Sequence, residues 1–461
     1  MYTELFKLCG FEPEEIERER PRIDKALDIA GIDQSDIDRA QQRVTEFFDT
    51  ELVAVRKVLG IYLKQFLDLV LSREEGKKIA YTTFPPAGRL GLAATLASEE
   101  VYCHAPELVV DVVMGQIFGK INPILEAAEE HGLPPGIAMC GLNQARVGAI
   151  VKGIAPLPDI TLTSGFFCDQ SPKTDDLLHE VYGIPNTFVD GCIDSSWDEF
   201  PEIMPRRVQY QAKELRRARG ELGKALGIEI TDEMFHEANK RYGMFWFGMQ
   251  QVWEMMRNEP QPVSAVDLGL FYWIISLPER RAIQDGMKAI GTLASEVKRR
   301  VDEGKGVVEK GAPRVAWPLY HTTDPGILRM VEGLGLSIPI INFAWIAPRE
   351  REAVKSQYTT PEERGVESEL RWGAYHSTSG LLYRLKETCK AWNVDGFILA
   401  LTYNCRGSFA LLIHKKALEQ DLNIPVLALE CDCYDSRDYS AQALRTRVET
   451  FAELLRARKT A

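Results

Sequence analysis

The chain has 461 residues, of which 45% are hydrophobic and 26% charged, a balance typical of a globular protein large enough for two or three domains. Its 55 basic and 67 acidic residues give a net charge of −12, which argues against nucleic acid or an anionic membrane surface as the main partner. We find no signal segment and no apolar run of roughly 18 residues that could cross a bilayer, so we expect a cytoplasmic protein. Nine scattered cysteines favour buried thiols, metal ligands or redox chemistry over a disulfide framework.

The predicted elements, taken in chain order, alternate between helical and α/β regions. Residues 1–77 have helical periodicity and are predicted to form a helical N-terminal segment. Residues 78–204 alternate short apolar runs with helical stretches and should form a first α/β domain, residues 205–305 a helical segment, and residues 306–461 a second α/β domain. The predicted fold class is α/β, with two doubly wound Rossmann- or flavodoxin-like domains that have parallel sheets and could face one another across a cleft. Strands are predicted in KIAYTTFP, GIAMCGL, DITLTSGFF, NTFVDGC, SIPIINFAWIAP, DGFILALTYNC and IPVLALECDC.

Two passages, residues 160–192 and 395–433, read as copies of one another. Each runs in the order strand, cysteine, helix, Ile-Pro, strand, cysteine. The first cysteine precedes the proline by 17 residues in one copy (Cys168) and by 20 in the other (Cys405). Ligands of doubly wound sheets gather outside the carboxyl ends of the strands, so both cysteines are expected at the site-forming edges of their domains.

A third cysteine, Cys140 in IAMCGLNQARVGAIVKG, is predicted at another strand end, directly before a helix. A single cysteine of this kind is more often a small core residue, but three at equivalent strand tips favour a shared site. Thiolates from separated loops suit a soft metal centre, and zinc is the weaker choice because paired C-x₂₋₄-C spacings are lacking. Cys140, Cys168 and Cys405 are therefore predicted to hold a [4Fe–4S] cluster, which would leave one iron open to water, substrate or a fourth residue.

The segments MCGLNQARVGAIVKG, CDQSPKTDDLLHEVYGIP and YNCRGSF…NIPVLALECDCYDSRDYSAQALRTRVETFAELL resemble the family of 2-hydroxyacyl-CoA dehydratase and benzoyl-CoA reductase subunits. The resemblance extends from about residue 77 to 455. It implies two facing α/β domains with a [4Fe–4S] cluster on Cys140, Cys168 and Cys405. It also implies a homologous cluster-bearing partner subunit and an ATP-dependent activator that donates a low-potential electron. Motifs for binding phosphates or dinucleotides, GxxxxGK[ST] and GxGxxG, are lacking, which agrees with a separate activator.

The substrate end is indicated by AYTTFPPAGRL, which resembles the segment that places a hydroxyl against a thioester substrate, so Thr82 or Thr83 is a candidate catalytic residue. Where the dehydratases carry Tyr-Pro-Glu, this chain has VYCHAPE, and His104 takes the place expected for the glutamate. Because histidine titrates near neutrality, this departure favours ATP-dependent reduction of an aromatic acyl-CoA. The alternatives are a 2-hydroxyacyl-CoA dehydratase subunit, a double-cubane-type reductase, and a non-catalytic electron-transfer subunit.

Three further cysteines, Cys192, Cys431 and Cys433, lie near the ends of the second strand of each copy. More thiolates could support a larger, double-cubane cluster. We expect a single [4Fe–4S] cluster instead, with Cys192 carried past the sheet edge and with Cys431 or Cys433 near the cluster, tuning its potential through hydrogen bonds.

Overall fold

The protein is described by a computed structural model. It covers residues 2–83, 86–134, 139–166, 168–191, 195–197, 199–318, 324–341, 356–371, 378–402, 405–430 and 432–460, with only the backbone described for residues 406–411.

The first α/β unit is built on a four-stranded parallel sheet with the order β2-β1-β3-β4. Its strands are β1 (Lys78–Thr82), β2 (Val101–His104), β3 (Ile160–Ser164) and β4 (Asn186–Val189). The sequence pattern did not predict β2, because VYCH is only four residues long and a proline-started helix follows it almost at once.

The second unit repeats this architecture with the order β6-β5-β7-β8. Its parallel strands are β5 (Arg314–Ala316), β6 (Ser337–Ile340), β7 (Gly396–Leu401) and β8 (Val426–Glu430). β7 is apolar and almost entirely buried, as expected for a central strand covered on both faces. The two sheets confirm the predicted fold class, and the passages that read as copies are the equivalent units β3–helix–β4 and β7–helix–β8.

Helices surround both sheets. The N-terminal helices are α1 (Thr3–Leu8), α2 (Pro13–Ile29), α3 (Gln34–Phe47) and α4 (Val53–Leu71). The first unit adds α5 (Ala87–Ala97), α6 (Pro106–Val110), the π-helical segment Asp111–Ile117, α7 (Asn122–Glu130), α8 (Gly141–Val151) and α9 (Gln170–Tyr182). Next come α10 (Pro205–Leu226), α11 (Asp232–Met255), α12 (Ala265–Ile274) and α13 (Arg280–Glu303). The second unit contributes α14 (Pro325–Gly333), α15 (Pro361–Leu370), α16 (Thr378–Ala391), α17 (Arg406–Leu422) and α18 (Ala441–Thr460).

The helices between the sheets pack onto them and do not stand apart. Helix α10 lies against β1, β3 and β4 of the first sheet and also against α15, while α11 packs between α5 and α13. One continuous apolar core extends from the N-terminal helices through both sheets. Within the described ranges, we find no helix with the length and apolar character needed to cross a membrane.

Candidate metal centre and active site

Each of the three cysteines predicted as metal ligands lies at the N-terminal end of a helix. Cys140 is the N-cap of α8, Cys405 is the N-cap of α17, and Cys168 lies two residues before α9. The N-terminus of a helix presents unpaired N–H groups and a partial positive charge. Each helix end therefore offsets part of the cost of burying a negative charge on a thiol or on a group that the thiols hold.

The three thiols influence one another's pKa values. Burial raises the pKa of Cys140 well above its usual value, and the charges of Asp432, Cys168 and Cys405 raise it further. Burial likewise raises the pKa of Cys168 to about 11, with a further increase from Cys405. The hydrogen bond from Gly141 N, next to Cys140, to Asp432 of the second unit at 2.9 Å agrees with these interactions, so the two α/β units meet beside Cys140. No group of three or more Cys, His, Asp or Glu side chains at metal-binding spacing occurs among the described residues.

Hydrogen bonds orient two of these sulfurs. The Asn143 side-chain amide donates to Cys140 Sγ at 3.3 Å, and the Ser171 backbone N–H donates to Cys168 Sγ at 3.3 Å. The backbone N–H of Cys140 donates to Gln170 Oε1 at 2.7 Å, which ties α8 to the start of α9. Thiols at helix N-termini, two of which accept N–H···S bonds, have the donor chemistry that an iron–sulfur cluster requires.

Tyr434 and Cys433 lie beside this region and belong to the second unit. Burial raises the pKa of Tyr434, and the charges of Cys433, Cys140 and Cys405 raise it further, so the phenol lies close to these thiols. The buried Cys433 sulfur accepts a hydrogen bond from Thr402 Oγ1 at 3.0 Å, a contact that orients it. Cys192 and Cys431 lie outside the described residues, and the expected role of Cys433 in tuning the cluster remains a prediction.

A buried polar network adjoins the thiols, with Arg146 of α8 at its centre. Its guanidinium contacts both Glu107 oxygens, at 2.7 and 3.0 Å, and Asp175 at 2.5 Å. It also donates to the hydroxyls of Thr83 and Ser171, each at 2.9 Å. Burial opposes the charge on Arg146, but the two carboxylates outweigh it and raise its pKa. The network thus includes Ser171, whose backbone N–H donates to the Cys168 sulfur.

Thr83 and Thr82 occupy different environments at the end of β1. The Thr83 hydroxyl donates to a Glu107 oxygen and accepts from Arg146, so its orientation is fixed. The Thr82 hydroxyl instead faces α5: a Cβ added at Gly91 would lie 2.3 Å from its oxygen. Within the described part of the chain, Thr82 Oγ1 has no hydrogen-bond partner. These environments favour Thr83 over Thr82 as the candidate catalytic hydroxyl.

His104, the other candidate, is the last residue of β2 and is fully buried. Burial lowers its pKa to about 3, so the ring is neutral at physiological pH. Neither ring nitrogen has a hydrogen-bond partner among the described residues, and the ring packs edge-on against Tyr102. The imidazole could donate a proton only if a ligand entered its buried site or a conformational change exposed the ring.

Glu107 and Arg146 were missed by the sequence interpretation. Glu107 follows Pro106 at the start of α6, three residues beyond His104, and the fold turns it onto Thr83. The signal for Arg146 was available, because an arginine inside the apolar helix GLNQARVGAIV must find buried partners.

The fold and site define a two-unit α/β protein with a thiol-lined region shared between its halves. The family model for 2-hydroxyglutaryl-CoA dehydratase, D-component, matches residues 97–455. The chain belongs to this family.

Two curated relatives match along most of their length. The alpha subunit of (R)-phenyllactyl-CoA dehydratase from Clostridium sporogenes is 23% identical over 410 residues, which cover 85% of this chain and 92% of that protein. A benzoyl-CoA reductase subunit from Thauera aromatica is 21% identical over 415 residues, covering 83% of this chain and 90% of that protein. These matches confirm the resemblance on which the sequence interpretation rested.

Proposed function

We propose that this chain is the subunit of an oxygen-sensitive acyl-CoA enzyme that holds a [4Fe–4S] cluster on Cys140, Cys168 and Cys405. The observation that carries this proposal is that cysteines of both α/β units lie at helix N-termini, and that Gly141, next to Cys140, is hydrogen-bonded to Asp432 of the other unit. When bound, the cluster would supply single electrons at low potential and have one iron without a cysteine ligand.

The protein groups around the thiols have distinct tasks in this proposal. Asn143 and the backbone N–H of Ser171 orient two sulfurs and stabilise their negative charge. Asp432 holds the first turn of α8, which carries Cys140, by accepting a hydrogen bond from Gly141 N at 2.9 Å. The proton-handling groups are Thr83 and Glu107, because an oriented hydroxyl beside a carboxylate can pass a proton to or from a substrate.

We favour dehydration of a 2-hydroxyacyl-CoA as the reaction. The sequence-based preference for ring reduction depended on His104 in place of an acid, and Glu107 provides a carboxylate in contact with Thr83. The similarity to a phenyllactyl-CoA dehydratase subunit supports the same choice. Reduction of an aromatic acyl-CoA is the second candidate, supported by the similarity to a benzoyl-CoA reductase subunit.

The enzyme would be a complex. Both relatives are named as subunits, which supports a homologous partner subunit here. Since the sequence carries no phosphate-loop motif, we propose that a separate ATP-dependent activator donates the electron.

The test is product analysis under strict exclusion of oxygen. The chain, its partner subunit and the activator are incubated with ATP and either phenyllactyl-CoA or benzoyl-CoA. Formation of the unsaturated thioester from phenyllactyl-CoA supports dehydration, whereas a dearomatised ring from benzoyl-CoA supports the second candidate. A cluster-loaded preparation that binds neither thioester would contradict both candidate reactions. The chain would then be an electron-transfer subunit.

A further inference from the structure

A second site is indicated by an open cleft between α5, α11 and α15, with a volume of about 240 Å³. One wall is a single face of α11, where His236, Lys240, Gly243 and Trp246 follow one another at helical spacing. The opposite wall comes from α15 and includes Arg364. Ligand pockets of several hundred Å³ enclose drug-sized molecules, so this cleft suits one end of a larger ligand.

The residues that line the cleft carry a positive net charge, although the net charge of the protein is −12. Arg89, Lys240 and Arg364 line it, and none of the described residues that line it is a carboxylate. A comparable cavity between α2, α4 and α13 gives the contrast. There Arg18, Arg22, Lys64 and Arg281 are matched by four carboxylates: Glu15, Glu19, Asp68 and Asp285. The cleft between α5, α11 and α15 therefore suits an anion, whereas the cavity between α2, α4 and α13 does not.

Arg89 is held in place as part of this cleft. It is 7% exposed, with Nη2 at 3.1 Å from Glu369 Oε1 and Nη1 at 3.3 Å from Asn239 Oδ1. Its buried Nε has no hydrogen-bond partner among the described residues. Arg364 is exposed and forms no ion pair within the described part of the chain, while Lys240 has only a long, exposed contact with Glu237 at 3.7 Å. Two exposed cations beside one fixed cation can pair with phosphate groups.

Aromatic rings accompany these cations. Trp246 and His236 face the same cleft, and the buried Tyr242 lies beneath Arg89, whose guanidinium carbon is 5.8 Å from the centre of the tyrosine ring. Gly243 leaves open space, since a Cβ there would meet nothing within 4 Å. Indole and imidazole faces next to cations suit a purine base joined to phosphates.

The cleft is connected by helix α5 to the end of β1, which carries both threonines. Arg89 follows Thr83 by six residues and lies in the first turn of α5. Two residues later, Gly91 packs against Thr82, so α5 runs from the end of β1 to the cleft. A ligand with its reacting group at Thr83 could thus extend its other end along α5.

We propose that this cleft binds the phosphorylated adenosine end of an acyl-CoA thioester. The choice of thioester rests on the proposed function, whereas the charge and aromatic walls alone define the chemistry as a purine nucleotide with more than one phosphate. Arg364 and Lys240 bind the phosphates, Arg89 fixes their position, and Trp246 covers the base.

The experiment measures binding of adenosine 3′,5′-bisphosphate to the full chain by titration calorimetry, with ADP as the comparison. Arg364→Ala and Lys240→Ala are the informative variants, because Arg89→Ala would leave Glu369 buried without its cation. Each variant should weaken bisphosphate binding by about tenfold, the usual effect of one charged hydrogen bond. Arg18→Ala, from the cavity of mixed charge, is the matched control and should bind as wild type does.

Bisphosphate binding that is undetectable, or that is the same in wild type and both variants, would overturn the inference. ADP binding as tight as that of the bisphosphate would identify a site for free adenine nucleotides and would also overturn it. The proposed function is judged separately. Thioester turnover without bisphosphate binding in the cleft would contradict only this inference. Conversely, Arg364-dependent bisphosphate binding without any thioester turnover would support the site in the cleft and contradict only the proposed function.

Discussion

The Asp432 carboxylate, which follows the last strand of the second sheet, accepts a hydrogen bond from the backbone N–H of Gly141 at 2.9 Å. Gly141 is the first residue of α8 and follows Cys140. The two α/β units are therefore joined at the point where a candidate cluster ligand enters its helix. Asp432 is itself fixed, since its other oxygen accepts from Tyr434 N at 2.8 Å and its own N–H donates to Asp438 at 2.7 Å.

The close approach at Gly141 predicts that this position requires glycine. A Cβ there would lie 2.7 Å from the Tyr434 backbone oxygen, so Gly141→Ala must shift the backbone where the two units meet. We expect a destabilisation of about 1–3 kcal/mol, as for other overpacked sites, together with lower iron content. Gly291→Ala in α13 is the control, because nothing lies within 4 Å of the added methyl and alanine favours helix. Equal stability of the two variants in denaturant titrations would contradict the tight contact.

Arg146 is predicted to stabilise the fold because its guanidinium pairs with two buried carboxylates. Arg146→Met should cost about 3–5 kcal/mol, since Glu107 and Asp175 would be left buried without their cation. The triple change Arg146→Met, Glu107→Gln and Asp175→Asn removes the charges together and should recover part of the loss. Denaturant unfolding of the three proteins checks this, and a triple variant less stable than Arg146→Met would refute the electrostatic explanation.

Thr83 and Thr82 provide a matched pair for the proposed proton transfer. Thr83→Val should lower kcat by about 100-fold or more with little change in KM, because the oriented hydroxyl is lost. Thr82→Val should leave kcat near wild type, since the Thr82 hydroxyl faces Gly91. Steady-state kinetics with the full complex measures both. Loss of activity in Thr82→Val with full activity in Thr83→Val would reverse the assignment.

The buried Glu332 should make the free energy of unfolding depend on pH. Burial raises its pKa to about 7, with Arg329 opposing the increase. A carboxyl whose pKa is raised on folding contributes stability below its unfolded pKa, and this contribution is lost as the pH rises through the folded pKa. The side chain of the Glu332→Gln variant stays neutral at every pH. Between about pH 5 and 7, the free energy of unfolding of this variant should therefore rise relative to that of wild type by about 1 kcal/mol per pH unit. The exposed Glu453→Gln is the control, and a Glu332→Gln difference that does not vary with pH would contradict the prediction.

How much of this site was predictable depended on the kind of signal each residue left. Cys168 and Cys405 could be located because strand, thiol and helix follow one another in the chain, and ligands gather at this edge of a parallel sheet. Cys140 also precedes a helix, but most of the strand predicted in GIAMCGL lies outside the described residues. The contact of Glu107 with Thr83 could not be predicted, since it depends on where the tertiary fold places α6. The strand containing His104 was missed because four residues give too short a pattern. The packing of α10 on the first sheet could not be predicted either, because helical periodicity predicts a helix but not the element against which it packs.

The most direct test of the account is iron and sulfide analysis of the anaerobically reconstituted chain, combined with Mössbauer spectra. We predict about four irons and four sulfides per chain, with cluster loss on replacing Cys140, Cys168 or Cys405 by alanine. Cys389→Ala, a buried cysteine in α16, is the control and should retain the iron. About eight irons would establish a double-cubane cluster instead. Iron content unchanged by loss of Cys405 would contradict the central claim that the two halves share one cluster.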